Sequence, residues 1–290
     1  TNLKFYVVEG VKPNDITPLR ETTSAGDVTF SATNGSSTVT VTDTNHGASQ
    51  NDFVTFSDAV SLGGTITAAV LNQEYQIAAI STANVYTITA KDTSGDTVTA
   101  NASDSGNGGS AVVGAYQITT GLNTYVSASG WGADPWGDGT WGSGSALGVS
   151  GQLRLYSQDN FGEDLIFNVR NGGIFYWDQS SGLDARGVNI TSLGGASNCP
   201  TTAAQVLVSD NDQHVIAFGA NTLGSAVQDP LLVRWSDQES AVDWTPTATN
   251  TAGGVRVSSG SAIVGAVQTR QEILIWTDTS LHSMRFVGAP

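Results

Sequence analysis

One pattern occurs three times in the second half of this chain and limits what the chain can fold into. Each copy is an apolar strand, a turn or loop, and a second apolar strand that carries or flanks a tryptophan. The copies span 164–178 (DLIFNVRNGGIFYWD), 214–237 and 272–286 (EILIWTDTSLHSMRF), and their starts are 50 and 58 residues apart. A further strand is predicted before each copy, at 152–157, 205–209 and 262–268. A strand followed by a hairpin at this period indicates a radial β repeat, most simply a propeller blade.

Composition points to the same fold class. Glycine accounts for 34 of the 290 residues, and no stretch sustains an apolar i, i+3, i+4, i+7 pattern over three turns. Short runs rich in Thr, Val, Ile and aromatic residues alternate with Gly, Asn, Asp and Ser clusters, which is typical of strands and turns. We therefore predict an all-β protein that contains a partial β-propeller-like domain, with three blade-like units from about residue 152.

A second module is predicted inside the first half of the chain. Strict alternation at 38–42 (TVTVT) favours a half-buried strand, and similar segments follow as far as residue 114. The polar stretch 101–110 (NASDSGNGGS) is typical of a flexible loop or linker. We predict a small antiparallel β-sandwich or barrel at 24–114, inserted into a propeller-like domain formed by 1–23 and 115–290.

Charge is sparse and predominantly acidic. The chain has 11 Lys and Arg residues against 26 Asp and Glu residues, a formal net charge of −15. Between residues 21 and 153 there are 11 acids and one base, Lys91. Binding of nucleic-acid phosphates needs a basic patch, which this pattern does not provide. The acidity either serves solubility or lets DNA and acidic glycans pass without sticking.

The most unusual local sequence is 130–142 (GWGADPWGDGTWG), which places Trp131, Trp136 and Trp141 in a glycine-rich stretch. Tryptophans at five-residue spacing fit neither a regular strand nor a helix. They indicate a compact loop that either packs on itself, contacts another subunit, or offers flat apolar faces to a glycan.

Motifs for catalysis and metal binding are missing from the sequence. His46, His214 and His282 lie in no nucleophile–base motif, and we interpret them as structural. Cys199 is the single cysteine, so neither an intrachain disulfide nor a cysteine-based metal site can form. We expect no enzymatic activity, no cofactor and no bound metal. A glycan-degrading propeller with paired carboxylates is the enzymatic alternative.

Arginine supplies every cation after Lys91. Its planar guanidinium suits stacking and bidentate pairs at packed interfaces. Arg234 lies near three acids, Asp237, Glu239 and Asp243, so ion pairing within a blade and pairing between subunits are both open. The candidates for packing or subunit contact are Arg234, Trp235, Trp244, Arg270 and Trp276.

Several segments resemble one protein family. The run 231–286 resembles the tail nozzle proteins of short-tailed bacteriophages, the tail tubular protein B group. The opening 5–20 (FYVVEGVKPNDITPLR) is similar to the start of the same domain, and 53–77 is similar to a small β module inserted in phage tail proteins. Within 231–286 the resemblance rests on 234–237 (RWSD), 243–246 (DWTP), 253–259 and 274–278 (LIWTD).

The resemblance implies a virion protein of the phage tail, assembled in the host cytoplasm. It would be one subunit of a six-fold nozzle ring around a channel for genome ejection. The implied partners are other copies of the chain, the tail adaptor and other tail proteins, with genomic DNA passing without specific binding. Members of the family are much longer than this chain, so we expect it to be either part of a longer polypeptide or a reduced relative. The alternative is a receptor- or glycan-binding tail module that uses Trp131, Trp136 and Trp141 on a host-surface glycan.

Overall fold

A computed structural model describes residues 4–104, 106–121 and 153–288. These residues form 21 β-strands in six antiparallel sheets. In the described ranges, helix is confined to one turn, α1 (Ala68–Leu71), and to short 3-10 turns at Gly106–Gly108, Gln179–Ser181 and Ile190–Ser192. The all-β prediction is confirmed. Within these ranges no helix has the length and apolar character needed to cross a membrane.

The described residues divide into two compact units. One, the module, is Leu19–Thr119; the other, the repeat unit, contains the residues before Leu19 and after Thr119. The repeat unit opens with a hairpin of β1 (Tyr6–Glu9) and β2 (Lys12–Asp15). The module therefore has its boundaries at residues 19 and 119, whereas the sequence analysis predicts an inserted module at 24–114.

The module contains eight strands: β3 (Leu19–Thr22), β4 (Thr29–Ala32), β5 (Thr38–Thr42), β6 (Phe53–Ser57), β7 (Glu74–Gln76), β8 (Ala79–Thr82), β9 (Val85–Thr89) and β10 (Val113–Gln117). They form two four-stranded sheets, ordered β3-β10-β6-β7 and β4-β5-β9-β8. Because β3 pairs with β10, the chain enters and leaves the module through neighbouring strands of one sheet.

The two sheets of the module pack face to face. Along β5 the valines are buried while Thr38 and Thr42 are exposed, as strict alternation predicts. Phe30 of one sheet meets Phe56 of the other edge-on, with ring centroids 4.9 Å apart. The prediction left sandwich and barrel open, and the module is a sandwich with one shared core.

A chain of hydrogen bonds crosses this core. The hydroxyls of Tyr86 and Tyr116 lie 2.9 Å apart, and Tyr116 donates to Asp43 Oδ2 at 2.7 Å. All three side chains are buried. Burial raises the pKa of the Asp43 carboxyl above its ordinary value, and the bond from Tyr116 offsets only part of that rise.

The described part of the repeat unit continues with eleven strands in three sheets. The first sheet contains β11 (Tyr156–Phe161), β12 (Asp164–Val169), β13 (Ile174–Trp177) and β14 (Val188–Asn189). The second contains β15 (Gln205–Val208), β16 (Val215–Phe218), β17 (Leu232–Trp235) and β18 (Gly253–Arg256). The third contains β19 (Ile263–Gln268), β20 (Ile273–Thr277) and β21 (Leu281–Met284). In each sheet the strands pair in chain order, so each repeat is an antiparallel meander, as in a propeller blade.

The second sheet is covered on both faces, and β16 shows why its sequence is continuously apolar. Val215 and Ala217 pack into a core that includes Ile166 of the first sheet. Ile216 and Phe218 pack into a core shared with the third sheet. Because neighbouring residues of a strand point to opposite faces, a strand between two sheets has no polar side.

Two details of the repeats differ from the prediction. The first strand of the first repeat is Tyr156–Phe161 and not 152–157, because the two-residue turn at Gly162 pairs Phe161 with Asp164. The fourth strands, β14 and β18, were not predicted. β14 has two residues, and β18 is rich in glycine because a Cβ on Gly253 would lie 2.6 Å from Trp235 Cζ2.

The opening hairpin is attached to the first sheet by stacked rings and partly buried charges. Phe5 stacks on Phe167 with centroids 4.6 Å apart. Asp15 Oδ2 accepts from Lys4 Nζ and forms an ion pair with Arg186 Nη1, both at 3.0 Å. Burial alone would raise the pKa of Asp15, but hydrogen bonds from Thr17 and the two cations outweigh it and hold the pKa below 3.8.

We expect Asp15→Asn to lower the free energy of unfolding of the repeat unit by about 2 kcal/mol at pH 7, since two partly buried cations each lose an ion pair. The lowered pKa means that the stabilisation by Asp15 is present above pH 3.8 and is lost as the pH falls through the folded pKa. The difference in the free energy of unfolding between wild type and variant should therefore become smaller as the pH falls. Urea unfolding followed by tryptophan fluorescence measures this free energy for the repeat unit, because all seven tryptophans lie beyond residue 119.

Asp184→Asn is the matched control, because its ion pair with Lys12 is long, at 3.6 Å, and highly exposed. Its effect should stay within about 0.5 kcal/mol. Equal effects of the two substitutions would contradict the role given to Asp15.

Candidate interaction surface

The predicted packing residues Arg234 and Trp244 meet inside the repeat unit. Arg234 is 4% exposed and lies over the Trp244 ring, with its guanidinium carbon 5.9 Å from the ring centroid. The guanidinium donates to the carbonyl oxygens of Asn198 and Asn221. Trp244 is 1% exposed, and its indole N–H donates to Ala241 O at 3.0 Å. Both residues are positioned to hold loops of the second sheet against the core.

Among the residues that the structure describes, Arg234 does not form the ion pair within a blade that the sequence left open. Its guanidinium contacts carbonyl oxygens, while the carboxylate of Asp237 accepts from the backbone and hydroxyl of Thr251 at 2.8 and 2.7 Å. A buried guanidinium has five N–H donors to satisfy, and nearby carbonyl oxygens do so without burying a carboxylate. Arg234 thus contributes to packing.

Trp235 is half-buried on the other face of the same strand. Its indole N–H donates to Thr251 O at 2.7 Å, and its ring covers Gly253. It joins the core between the second and third sheets. Alternation along β17 therefore places Arg234 and Trp235 in different cores.

Trp276 occupies a different environment, on the third sheet. Ile273 and Ile275 of β20 are buried against the second sheet, so Leu274 and Trp276 lie on the opposite face. Their cross-strand partners, Val267 and Leu281, lie on that face too. We call these four residues, Val267, Leu274, Trp276 and Leu281, the outer face.

The outer face is apolar and accessible. Trp276 is 39% exposed, Val267 46% and Leu281 55%. Contiguous exposed apolar residues on a sheet are typical of an interaction surface. Arg270, in the turn before β20, is also exposed.

The other sequence predictions concern the glycine-rich tryptophan segment, metal binding and Cys199. Trp131, Trp136 and Trp141 lie outside the described residues. Within the described ranges, no group of three or more His, Cys, Asp or Glu residues could hold a metal ion. Cys199 is buried, with its thiol 3.1 Å from Val242 O, and burial raises its pKa.

Sequence reasoning missed one concave site. His214, interpreted as structural, lines a cleft between the second and third sheets together with Trp235, Gln268 and Phe286. No motif could have revealed it, because its residues come from separate strands and loops.

Comparison with known proteins gives few matches. No family model matches the chain, and no curated protein matches it. One similar solved structure is the Phage phi92 endosialidase, with 13% sequence identity and a TM-score of 0.24. The match covers 91% of this chain and 35% of that one, so this chain spans about a third of that protein's length.

Proposed function

We propose that this chain is a structural protein of a bacteriophage tail, a subunit of the nozzle ring that forms part of the genome-ejection conduit, without enzymatic activity. The observation that carries the proposal is the outer face of the third sheet. Its apolar side chains favour contact with another protein surface over solvent.

The other sheets of the chain suggest what covers this face. Between the first and second sheets, and between the second and third, aliphatic residues of neighbouring meanders form continuous cores. The outer face presents the same kind of surface to solvent. A neighbouring copy that covers it would make a head-to-tail contact, and such contacts close into rings when the rotation between copies allows.

Sequence and charge support the same assignment. The resemblance of 231–286 to tail nozzle proteins includes β17, β20 and Trp276. The net charge of −15 with only 11 bases suits a conduit through which DNA slides without being retained. Other copies of the chain, the tail adaptor and other tail proteins are the proposed partners, and the virion tail is the proposed location.

We expect Trp276→Glu to weaken self-association by on the order of 100-fold, because a charge would be placed at the centre of an apolar contact. Mass photometry and negative-stain electron microscopy of the wild-type chain should show closed rings, and the variant should give monomers at the same concentration. Leu223→Glu, which alters another exposed leucine (51%) outside the third sheet, is the matched control and should form rings.

Two results would overturn the ring proposal. The first is a wild-type chain that stays monomeric at tens of micromolar. The second is a Trp276→Glu variant that assembles as well as Leu223→Glu.

A further inference from the structure

Residues of the second and third sheets of the repeat unit, with their loops, line a cleft of about 680 Å³. Ile216, Ile273 and Met284 supply apolar wall, and Trp235 and Phe286 supply aromatic wall. We call it the His214 cleft, after its most buried polar residue. A concave site that combines apolar walls with polar groups is a common form of small-molecule site.

His214 is 4% exposed, and the tautomer of its neutral ring follows from its contacts. Nδ1 lies 2.9 Å from the carbonyl oxygen of Ser236. A carbonyl only accepts, so Nδ1 carries the proton and Nε2 of the neutral ring is an acceptor. No donor reaches Nε2 within the described part of the chain. A buried acceptor of this kind calls for an O–H or N–H from a ligand.

A second acceptor lies in the same cleft. Gln268 lines it, and Gln268 Oε1 is buried without a hydrogen-bond partner among the described residues. Two acceptors in one concavity match a ligand that carries more than one hydroxyl donor.

The aromatic wall adds a stacking surface. The Phe286 ring lies 5.1 Å from the His214 ring, tilted by 58°, and Phe286 is 40% exposed. An aromatic face beside hydrogen-bond acceptors suits a molecule that is apolar on one face and hydroxylated at its edge. A saccharide ring has both properties.

Charges at the mouth of the cleft refine the class of ligand. Arg270 and Arg285 both line it and are exposed. Neither has an ion pair within the described residues. The carboxylates of Asp212 and Glu272 also line the cleft, and Glu272 accepts from the Ser283 hydroxyl. Two uncommitted guanidinium groups favour a carboxylate, which they can bind bidentately.

We propose that the His214 cleft binds an acidic saccharide. Sugar hydroxyls donate to His214 Nε2 and Gln268 Oε1, the C–H face of the ring stacks on Phe286, and the carboxylate pairs with Arg270 or Arg285. This site is separate from the outer face, and it does not depend on ring assembly.

The test uses the full chain and two defined probes, trigalacturonic acid and the neutral maltotriose, in isothermal titration calorimetry and ligand-observed NMR. Trigalacturonic acid should bind at least tenfold more tightly than maltotriose. His214→Phe, which keeps a ring beside Phe286 but has no acceptor, should weaken that binding by at least tenfold. His282→Phe is the matched control, because His282 bonds to Ser280 and does not line the cleft.

The double variant Arg270→Ala, Arg285→Ala provides a second test that does not alter the core, and it should also weaken trigalacturonic acid binding by at least tenfold. The proposal would be overturned if neither trigalacturonic acid nor maltotriose bound at millimolar concentration. So would unchanged affinity in both the His214→Phe and the double-arginine variants. Equal affinity for the two probes would overturn the assignment of a carboxylate.

Discussion

Replacing Trp244 by alanine is expected to lower the free energy of unfolding of the repeat unit by about 4 kcal/mol. Trp244 is 1% exposed, and it packs in the core between the first and second sheets with Ile190, Cys199 and Val242. The substitution removes the largest side chain of that core and leaves a cavity that loops on both sides cannot fill.

The loss is increased because Trp244 also supports Arg234. The guanidinium, held over the indole ring, would face the cavity and lose its cation–π contact. A double-mutant cycle of Trp244→Ala with Arg234→Met should therefore show a coupling of about 1 kcal/mol or more.

Urea unfolding monitored through the remaining tryptophans measures the effect. Trp244→Phe keeps most of the volume and should cost about half as much as Trp244→Ala. Leu223→Ala, at an exposed position, should stay within about 0.5 kcal/mol of wild type. A loss below 1 kcal/mol for Trp244→Ala would show that Trp244 does not hold this core together.

In the module, Tyr116→Phe is expected to lower the free energy of unfolding by about 3 kcal/mol at pH 7. The Tyr116 hydroxyl donates to Asp43 and is bonded to Tyr86, so its removal leaves a buried carboxylate and a buried hydroxyl without their partner. Tyr86→Phe removes only the outer hydroxyl of this chain and should cost about 1 kcal/mol. The module contains no tryptophan, so calorimetry and the near-UV circular dichroism of its tyrosines measure the change.

The pH dependence of the same variant distinguishes a lost hydrogen bond from a packing defect. The pKa of Asp43 is raised, so its contribution to stability is fully present below 3.8 and is lost as the pH rises through the folded pKa. Without Tyr116 the ionised form loses a charge-assisted bond, so the cost of Tyr116→Phe should shrink as Asp43 becomes protonated. In an Asp43→Asn background this pH dependence should disappear. A cost that is independent of pH in the wild-type background would point to packing alone.

The sequence predicted much of the repeat unit because the relevant signals are local. The hairpins at 164–178 and 272–286 are observed as β12–β13 and β20–β21, since apolar runs with short turns determine both strand and register. β11 was placed too early because the alternation of 152–157 is stronger than that of the polar strand YSQDNF. Its pairing depends on the turn at Gly162 and not on apolar residues.

The candidate site residues were separated only by the structure. From the sequence pattern alone, the same burial would be expected at Arg234, Trp235, Trp244 and Trp276, because all four lie in or beside apolar repeat strands. Three of them pack within the repeat unit, and Trp276 lies on the outer face. Whether a strand position faces a neighbouring sheet or solvent depends on which sheets stack, a long-range property that strand periodicity does not contain.

By itself, the sequence determined that this is an all-β protein with a threefold strand–hairpin repeat, because side-chain alternation and turn chemistry act between near neighbours. Tertiary structure alone decided that the second sheet is covered on both faces while the third leaves Trp276 exposed. It also placed His214 and Gln268 in one cleft with Arg270 and Arg285. The physical reason is that burial and ligand geometry arise from contacts between residues tens of positions apart, which form only when the meanders stack.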